Sequence, residues 1–399
     1  MSGWDPGLQW TMKILHVSKF YPPVRGGIEN FVRDLATAQA KQGHEVYVLA
    51  HQTDFAKPHH YENINGVALE RVRTFGQLSY APVTPEFPVR LWRAIRQFRP
   101  DIIHAHLPNV SAFWLLFCPK TCPLILHWHA DVVASEIDRK LSVLYHFYKP
   151  WETALLKRAD DVIATSRAYL DYSAPLRPYH QKCHVIPLGL DPDRMASHEN
   201  SSMPDRTPDT KPPSPDFYLL VLSVGRFTYY KGFEYLVEAA EKTPRVRFII
   251  VGDGPEYSAI KGLVAEKRLE TRVFLPGSVD RQTLIRLFRT CDVFCLPSVE
   301  RTEAFGLVLL EAMYFGKPLI TTKIPGSGVM GVNIHGITGL QVPPQNPEAL
   351  AEAIDYFREK LEKRLRMGIM AKKRLTDAFH IQSVVKKIEK LYRNQKTTP

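Results

Sequence analysis

Residues 292–316, DVFCLPSVERTEAFGLVLLEAMYFG, decide the fold that the sequence predicts. The apolar run 293–296 is typical of a buried strand, and the turn residues that follow, ending at Gly306, separate it from a helix. Along residues 307–315 every side chain except Glu311 is apolar or small enough to pack, so this helix lacks the polar face of a surface helix. A strand, a loop and a buried helix in this order indicate a sheet covered by helices.

Two carboxylates frame the start of this helix, Glu303 before it and Glu311 within it. Burying a carboxylate without partners is costly, so each is expected to bond a specific group, and a polyhydroxyl ligand is one candidate. The plain alternative stays open: Glu303 is then a first-turn carboxylate favoured by the helix dipole, and Glu311 pairs with a buried arginine. The backbone N–H groups of Phe305, Gly306 and Leu307 predict an anion site, where Gly306 lets a phosphate approach closely.

The pattern E-AFGLVLL-E, set between LPS and EAM, resembles the signature of glycosyltransferase family 4, whose members are retaining enzymes of the GT-B fold. The resemblance implies that Glu303 contacts hydroxyls of the donor sugar and that Glu311 holds the nucleotide ribose. It also implies that the intervening residues, from Ala304 to Leu307, receive the donor phosphate. The resemblance covers residues 12–392 and is stronger in residues 220–342 than in the N-terminal half.

The length, composition and charge of the chain limit the classes of protein to which it can belong. The chain has 399 residues, enough for two or three domains, and its 45% hydrophobic and 23% charged residues are ordinary for a soluble globular protein. A formal net charge of +11 implies an anionic partner: a phospholipid surface, a nucleotide or pyrophosphate substrate, or a nucleic acid. A basic surface that only aids solubility stays an alternative. We find no pattern of a membrane helix or a signal peptide, and the spacing of the cysteines predicts reduced residues in a cytoplasmic protein.

The first half of the chain predicts a doubly wound sheet. Residues 13–20 have the pattern of a first strand, a loop with Gly26 and Gly27 follows, and a helix and a second strand come next. The two glycines stand at the carboxyl end of a strand, where such sheets bind ligands, although a plain turn explains them as well. The resemblance implies that this loop approaches the donor phosphates and the acceptor.

Two basic amphipathic helices are predicted in this half. In residues 89–99, VRLWRAIRQFR, the side chains of Leu91, Ile95 and Phe98 share one face and arginines surround it. Such a helix can lie on an anionic membrane or pack on the sheet, and the buried strand that follows at once favours packing. The second helix, residues 139–158, carries several aromatic side chains and is the better candidate for acceptor or membrane contact, although core packing explains them equally.

Two histidine pairs lie in two predicted strands, His104 with His106 and His127 with His129, each pair on one side of its strand. A metal cluster is an alternative, but no further Cys, Asp or Glu at ligand spacing supports it. His129, followed by Asp131, matches the family's histidine that binds the donor sugar and points towards the reacting centre, whereas His127 is interpreted as structural. The resemblance also implies an enzyme without a bound metal or cofactor.

Gly225, Arg226 and Lys231 follow the first predicted strand of the second half, in VGRFTYYKG. Two cations there suit a diphosphate, because the leaving nucleoside diphosphate gains charge as the glycosidic bond breaks. The stretch resembles the family's donor-phosphate arginine and lysine, and Gly277 resembles the glycine beside the nucleobase. Gly331 stands where the commoner family pattern has a glutamate, which leaves the donor's identity open. The surrounding loop is similar to that of bacterial polysaccharide transferases, many of which use GDP-mannose.

The repeated alternation of strands and helices, together with the resemblance, predicts an α/β protein of GT-B architecture, with two doubly wound, Rossmann-like domains facing across a cleft. The predicted parts, in chain order, are an unassigned tail (1–11), an acceptor domain (12–190), a flexible Pro- and Ser-rich linker (191–216), a nucleotide-sugar donor domain (217–376) and a C-terminal helix that crosses back onto the acceptor domain (377–399).

The resemblance implies a retaining hexosyltransferase of cell-surface polysaccharide biosynthesis. Mannose from GDP-mannose is slightly favoured as donor, and a hydroxyl of a glycan or lipid-linked glycan is the implied acceptor. Retention without a convincing nucleophile implies front-face attack, with the leaving phosphate accepting the proton of the acceptor. The implied location is the cytoplasm, with peripheral contact to an anionic membrane. A UDP-sugar-dependent transferase, a phosphorylase or sugar-nucleotide synthase of the same fold, and a basic nucleic-acid-binding protein remain alternatives.

Overall fold

The structure is a computed structural model that describes residues 10–24, 26–55, 57–78, 81–132, 139–196 and 219–397. The chain divides into two compact units. Unit 1 is Met1–Gly189 together with Ile381–Pro399, and unit 2 is Leu190–His380.

The described part of unit 1 is built on an eight-stranded sheet. Its strands and those of a separate two-stranded ribbon (β5 and β6) are β1 (Lys13–Val17), β2 (Glu45–His51), β3 (His60–Ile64), β4 (Val67–Val72), β5 (Gln77–Leu78), β6 (Ala81–Pro82), β7 (Ile102–Leu107), β8 (Leu124–Trp128), β9 (Asp161–Ala164) and β10 (Cys183–Val185). The order across the sheet is β10-β9-β8-β7-β1-β2-β4-β3, and β3 pairs antiparallel with β4 while the other pairs are parallel.

The helices of unit 1 cover the sheet, and its central strands are therefore buried on both sides. They are α1 (Gly27–Lys41), α2 (Phe87–Phe98), α3 (Arg139–Arg158), α4 (Arg167–Tyr172), the 3₁₀ helices Val110–Phe117 and Arg177–Lys182, and the C-terminal helix Ile381–Thr397. In α2 the side chains of Leu91 and Ile95 are buried and that of Phe98 is half-buried, so the prediction that its apolar stripe packs inward is confirmed. None of the described helices is both long enough and apolar enough to span a bilayer.

Unit 2 is built on a six-stranded parallel sheet within the described residues. Its strands are β11 (Leu219–Val224), β12 (Val246–Val251), β13 (Val273–Gly277), β14 (Val293–Leu296), β15 (Leu319–Thr322) and β16 (Gly339–Val342). The order is β13-β12-β11-β14-β15-β16, so the direction of winding reverses between β11 and β14. In open sheets of this kind ligands bind beyond the carboxyl ends of the strands at that reversal, the switch point.

The helices of unit 2 pack on both faces of its sheet. They are α5 (Asp193–Ala196), α6 (Phe233–Lys242), α7 (Tyr257–Glu266), α8 (Arg281–Thr290), α9 (Leu307–Tyr314), α10 (Val329–Val332), α11 (Pro347–Glu359), α12 (Leu361–Arg374), the 3₁₀ turn Tyr229–Lys231 and the π-helical turn Leu375–Phe379. The core includes Phe248 of β12, Leu236 of α6 and Ile354 of α11, all fully buried. The burial of β14 and α9 agrees with the apolar pattern of residues 293–315.

The chain passes between the units at residues 189/190 and again at 380/381. The Leu190 N–H donates to the carbonyl of Phe379 (2.9 Å), and Leu190 also pairs with His380 as an isolated parallel bridge, so the two ends of unit 2 lie side by side. Part of the predicted linker differs from the structure, because residues 191–196 belong to unit 2 and form α5 there; residues 197–216 lie outside the described part. Residues 1–9 of the predicted tail also lie outside the described part.

Candidate functional site

The switch point of unit 2 gathers the cations and carboxylates that the sequence singled out. The loop after β11 carries Arg226 and Lys231, and the loop after β14 carries Glu303. β11 and β14 are parallel neighbours, with Val221 opposite Val293, and their carboxyl ends therefore meet at the same edge of the sheet. Charges that lie far apart in the sequence are thus brought within bonding distance.

Lys231 and Glu303 form a buried ion pair at this edge, with 2.5 Å between Lys231 Nζ and Glu303 Oε2. Burial alone would lower the pKa of Lys231, but the attraction of Glu303 outweighs it and leaves that pKa above its usual value. The ammonium is therefore charged at neutral pH. A Cβ at Gly225 would lie 3.1 Å from Lys231 Cε, so glycine makes room for the lysine stem. Arg226 is exposed.

The Glu303 carboxylate uses one of its two oxygens for the protein. Ser298 Oγ donates to the same Oε2 (3.1 Å) that accepts from Lys231. No other side chain or backbone donor among the described residues bonds Oε1. One carboxylate oxygen is thereby fixed, and the other can accept a hydrogen bond from a ligand.

Glu311, one turn into α9, is held in the same way. Arg194 Nη1 lies 3.1 Å and Arg281 Nη1 lies 3.4 Å from Glu311 Oε1. The alternative that Glu311 pairs with a buried arginine is thus observed, with two arginines instead of one. Within the described part of the chain, Oε2 accepts from no protein donor, so Glu311 also keeps one oxygen for a ligand.

The amino terminus of α9 lies between these two carboxylates in the sequence. The N–H groups of Phe305, Gly306 and Leu307 donate to no acceptor among the described residues, so they can bind an anion there. Gly306 has φ +76°, and a Cβ there would come 2.9 Å from Leu309 Cδ1. Glycine is therefore required by the left-handed backbone and by packing against the protein itself, and not only by the close approach of a ligand.

A second loop supports this arrangement. Ser327 is fully buried, and its hydroxyl donates to the carbonyl of Glu303 (2.5 Å), while the Gly328 N–H donates to the carbonyl of Ala304 (2.8 Å). Gly277 ends β13 with φ +73°, and a Cβ there would meet nothing within 4 Å. The backbone of the predicted donor loop is thus fixed from the neighbouring loop, and open space lies beside Gly277.

The comparisons with known proteins identify the family of this chain. The family model "Glycosyltransferase Family 4" matches residues 25–194, and "Glycosyl transferases group 1" matches residues 207–374. O-antigen chain mannosyltransferase C of Escherichia coli is 30% identical over 387 residues, which cover 96% of this chain and 98% of that protein. The chain belongs to glycosyltransferase family 4.

Further relatives support the same assignment of this glycosyltransferase. D-rhamnosyltransferase WbpZ of Pseudomonas aeruginosa is 30% identical and covers 92% of both chains. Among solved structures, the sucrose-phosphate synthase of Thermosynechococcus elongatus superimposes with a TM-score of 0.78 at 26% identity, covering 97% of this chain and 100% of that one. The predicted family, the GT-B fold with two Rossmann-like units and the hexosyltransferase class are therefore confirmed.

The remaining predicted site residues of the glycosyltransferase, Gly26, Gly27 and His129, belong to unit 1. Gly26 precedes the first turn of α1, and a Cβ there would lie 2.0 Å from Glu29 Oε2. Because the Glu29 carboxylate fills this space, a side chain larger than hydrogen at residue 26 would displace it. The Glu29 carboxylate thus lies against the loop that the resemblance implied to approach the donor phosphates and the acceptor.

His129 is buried next to β8, and its Nε2 lies 3.1 Å from His106 Nδ1. Burial lowers the pKa of His129 to about 3, so the ring is neutral at neutral pH. Asp131 Oδ1 accepts hydrogen bonds from Trp128 Nε1 and Ser173 Oγ, both at 2.7 Å. Asp131 therefore fixes the turn after the strand through these two bonds.

Sequence reasoning missed several side chains that shape these sites. They are Arg194, Arg281, Ser298, Ser327 and, in unit 1, His16. They contact the site through pairings that only the folded sheet creates.

Proposed function

We propose that the enzyme is a retaining transferase that moves a hexose from a nucleoside-diphosphate sugar to a hydroxyl of a glycan or lipid-linked glycan in cell-surface polysaccharide biosynthesis. GDP-mannose is the favoured donor, which the mannosyl- and rhamnosyltransferase relatives support. One observation carries the proposal: Glu303 and Glu311 each have one oxygen tied to protein donors and one oxygen without a described protein donor. Two fixed carboxylates of this kind suit a ligand with two sets of hydroxyls.

The donor is proposed to lie along the edge of the unit 2 sheet. Its diphosphate binds the N–H groups of Phe305, Gly306 and Leu307, close to the Lys231 ammonium. The ribose hydroxyls donate to Glu311 Oε2, and the hydroxyls of the transferred sugar donate to Glu303 Oε1. The nucleobase takes the open space beside Gly277.

In the proposed reaction the bond between the anomeric carbon and the phosphate oxygen breaks, and its electron pair goes to the diphosphate. The acceptor hydroxyl oxygen attacks the same face of the sugar, which retains the configuration, and its proton goes to the departing phosphate oxygen. Lys231, Arg226 and the α9 N–H groups stabilise the charge that develops on the diphosphate. These groups supply positive charge from the protein, so the proposal includes no bound metal ion or organic cofactor.

A thermal-unfolding panel tests the donor site. We expect one nucleoside diphosphate, among GDP, UDP, ADP and dTDP, to stabilise the protein by about 2.7 kcal/mol when present at 100 times its Kd. GDP is the expected member. Adenosine and guanosine without phosphates serve as controls and should stabilise it much less, because they lack the group that Lys231 binds. A folded protein that responds to none of the diphosphates would contradict the donor site.

An exposed aromatic patch on unit 1 supports a membrane-bound acceptor. The patch consists of Trp114 and Phe117 on the 3₁₀ helix Val110–Phe117 together with Phe147 and Trp151 on α3, and Phe117 and Phe147 are 65% and 72% exposed. The ring centroids of Trp114 and Phe117 are 5.7 Å apart and those of Phe117 and Trp151 are 6.0 Å apart. Phe147 lies one helical turn before Trp151 on the same side of α3. A contiguous exposed apolar patch marks an interaction surface. With a net charge of +11, an anionic bilayer is the proposed partner, on the cytoplasmic face of the membrane.

Vesicle sedimentation tests this membrane contact. The double variant Phe117→Ser with Phe147→Ser is expected to lower the partition onto vesicles of phosphatidylcholine and phosphatidylglycerol at least about tenfold, because each phenylalanine contributes about 1.5–3 kcal/mol on burial. Phe75→Ser, which removes another exposed phenylalanine of unit 1, is the matched control and should bind as the unaltered protein does. Equal binding by the double variant would exclude the patch as the contact.

A further inference from the structure

Unit 1 buries a cluster of histidines between its sheet and the helices α1 and Ile381–Thr397. Its members are His16 on β1, His104 and His106 on β7, His127 on β8 and His129 just after β8. Gln39 of α1 and Tyr392 of the C-terminal helix are buried beside them and bond to the rings. Burying so many polar groups is costly unless they bond to one another.

All of these rings are neutral at neutral pH. Burial lowers the pKa of His16 to about 4, in spite of its hydrogen bond to Gln39, and lowers the pKa of His129 to about 3. Burial, with repulsion between neighbouring imidazoles, also lowers the pKa values of His104, His106 and His127 well below the usual one. A neutral imidazole has one N–H and one bare nitrogen, so each hydrogen bond fixes the direction of the next.

The first row of rings runs from Gln39 to His129. His16 Nε2–H donates to Gln39 Oε1 (2.8 Å), which leaves His16 Nδ1 bare. His106 Nε2–H therefore donates to His16 Nδ1 (3.0 Å), and His129 Nε2–H donates to His106 Nδ1 (3.1 Å). The amide oxygen of Gln39 thus forces the far nitrogen of the row, His129 Nδ1, to be a bare acceptor.

The second row starts from the other end of the same amide. Gln39 Nε2–H donates to the Tyr392 hydroxyl oxygen (3.4 Å), and Tyr392 O–H donates to His104 Nδ1 (2.5 Å). His104 Nε2–H then donates to His127 Nδ1 (3.2 Å), so His127 Nε2 must hold an N–H. The Tyr392 O–H has no other acceptor among the described residues, so the hydroxyl sets the direction of this row, as the Gln39 amide oxygen sets that of the first.

The two rows end side by side without partners. His129 Nδ1 and His127 Nε2 are buried and make no hydrogen bond to any described residue. The two rings are parallel within 2°, with centroids 4.3 Å apart. The ring of Phe31 packs edge-to-face against both, at 5.1 Å from His127 and 5.7 Å from His129. The two stacked rings thus present one bare nitrogen and one N–H, which match the donor and acceptor capacity of a hydroxyl group.

A metal ion is the obvious competitor for these nitrogens, since those of His106, His127 and His129 lie within 4.8 Å of one another. Ligands of one ion must aim their lone pairs at one point. The rings of His104 and His127 are parallel within 6°, and those of His127 and His129 are parallel within 2°. The lone pairs of parallel rings lie in parallel planes and therefore do not meet at one point. Both ring nitrogens of His106 are already hydrogen-bonded within the first row, so His106 could bind a metal ion only by breaking one of these bonds.

We propose that Gln39, acting through His16 and His106, is a positioning residue that makes His129 Nδ1 a permanent acceptor for a hydroxyl of a sugar substrate, with His127 Nε2–H as the adjoining donor. Since both nitrogens are sealed from solvent, a side chain must move to admit the hydroxyl, and we assign that movement to Phe31. The ligand part of the proposal rests on the proposed transferase function, whereas the polarity of the rows does not.

Nitrogen-15 NMR of the ligand-free protein, with labelled histidine, tests the polarity directly. We expect His129 as the Nε2–H tautomer and His127 as the tautomer with a bare Nδ1. Gln39→Met should release the row of His16, His106 and His129 into mixed tautomers, whereas Tyr392→Phe should release the row of His104 and His127. Gln42→Met, one residue beyond α1 and bonded to Gln382, is the control and should change neither. A protonated Nδ1 on His129, or unchanged tautomers in both variants, would overturn the proposal.

Kinetics and titration test the hydroxyl. Gln39→Met is expected to raise KM about tenfold, for the nucleotide sugar if the hydroxyl is on the donor and for the glycan if it is on the acceptor. The affinity for the bare nucleoside diphosphate should stay unchanged, which a general loss of structure would not allow. GDP-mannose and methyl α-mannoside are the NMR probes for the two sources. The hydroxyl site is refuted if the nitrogen-15 shift of His129 Nδ1 changes with neither probe in an active enzyme. It is also refuted if Zn²⁺ changes this shift together with those of the other rings.

Discussion

Replacing Lys231 with methionine is expected to lower kcat/KM for the nucleotide sugar about 100- to 1,000-fold, which is the usual cost of removing one preorganised group that stabilises charge in a transition state. Lys231 Nζ is buried, charged and 2.5 Å from Glu303, so no water can take its place at low cost. The measurement is steady-state kinetics with the donor that the thermal panel identifies. A folded Lys231→Met enzyme with the kcat/KM of the unaltered protein would contradict the role of this lysine.

The same variant should lose about 3–5 kcal/mol of unfolding free energy, because it leaves the Glu303 carboxylate buried without its counter-charge. Lys267→Met is the matched control: its pair with Glu241 has a similar length (2.8 Å) but lies at the surface, so stability and turnover should change little. Adding Glu303→Leu to Lys231→Met should restore much of the stability without restoring activity. Denaturant unfolding of the three variants separates a structural effect from a catalytic one.

Glu311→Gln is expected to raise the Kd for the bare nucleoside diphosphate about 100-fold, which lowers the stabilisation at a fixed ligand concentration from about 2.7 to about 0.4 kcal/mol. Arg194 and Arg281 donate to one oxygen of this carboxylate and will keep the amide oxygen on their side. The amide NH₂ then takes the place of Oε2, so the group proposed to accept hydrogen bonds from the ribose becomes a donor. Thermal unfolding with and without the diphosphate measures the change.

Glu303→Gln serves as the crossed control for this experiment. Lys231 and Ser298 hold the amide oxygen in the same way, so the NH₂ group replaces the oxygen proposed for the sugar hydroxyls. We expect this variant to keep most of its response to the bare diphosphate and to lose sugar transfer. If Glu303→Gln lost the diphosphate response and Glu311→Gln kept it, the two roles would have to be exchanged.

Much of the donor site could be predicted because its determinants are local in the sequence. Strand β14, the loop to α9 and the two glutamates lie within residues 292–316, and Lys231 follows the first strand of the same unit. The apolar run and the turn residues define this strand–loop–helix order without any distant contact. The order of the sheet then brings the two loops together at the switch point.

The partners of the glutamates could not be predicted, because they come from other parts of the chain. Arg194 reaches Glu311 from α5, more than a hundred residues earlier, and Arg281 reaches it from the first turn of α8. Nothing in the local pattern around Glu311 identifies either arginine. The sequence left a buried arginine open as a partner of Glu311, and only the folded structure shows which arginines these are.

The histidine cluster shows the same limit. Alternation along a strand correctly placed His127 and His129 on one side, and the structure stacks their rings. His16 joins the cluster because β1 pairs with β7 in a register that sets His16 opposite His104. Register between distant strands, and the direction of hydrogen bonds along a row of rings, depend on tertiary structure and have no signal in the spacing of residues.

The pairing of Leu190 with His380 also matters for how such enzymes can be recombined. Unit 2 is one uninterrupted segment whose first and last residues are hydrogen-bonded neighbours, so in topological terms it is an insert within unit 1. An insert with adjacent ends can be exchanged without changing the distance that the host segment must bridge. Residues 190–380 can therefore be exchanged as one segment. Chimaeras that graft the corresponding segment of another family member between residues 189 and 381 would exchange the proposed donor-binding unit while the sequence of the host unit stays intact.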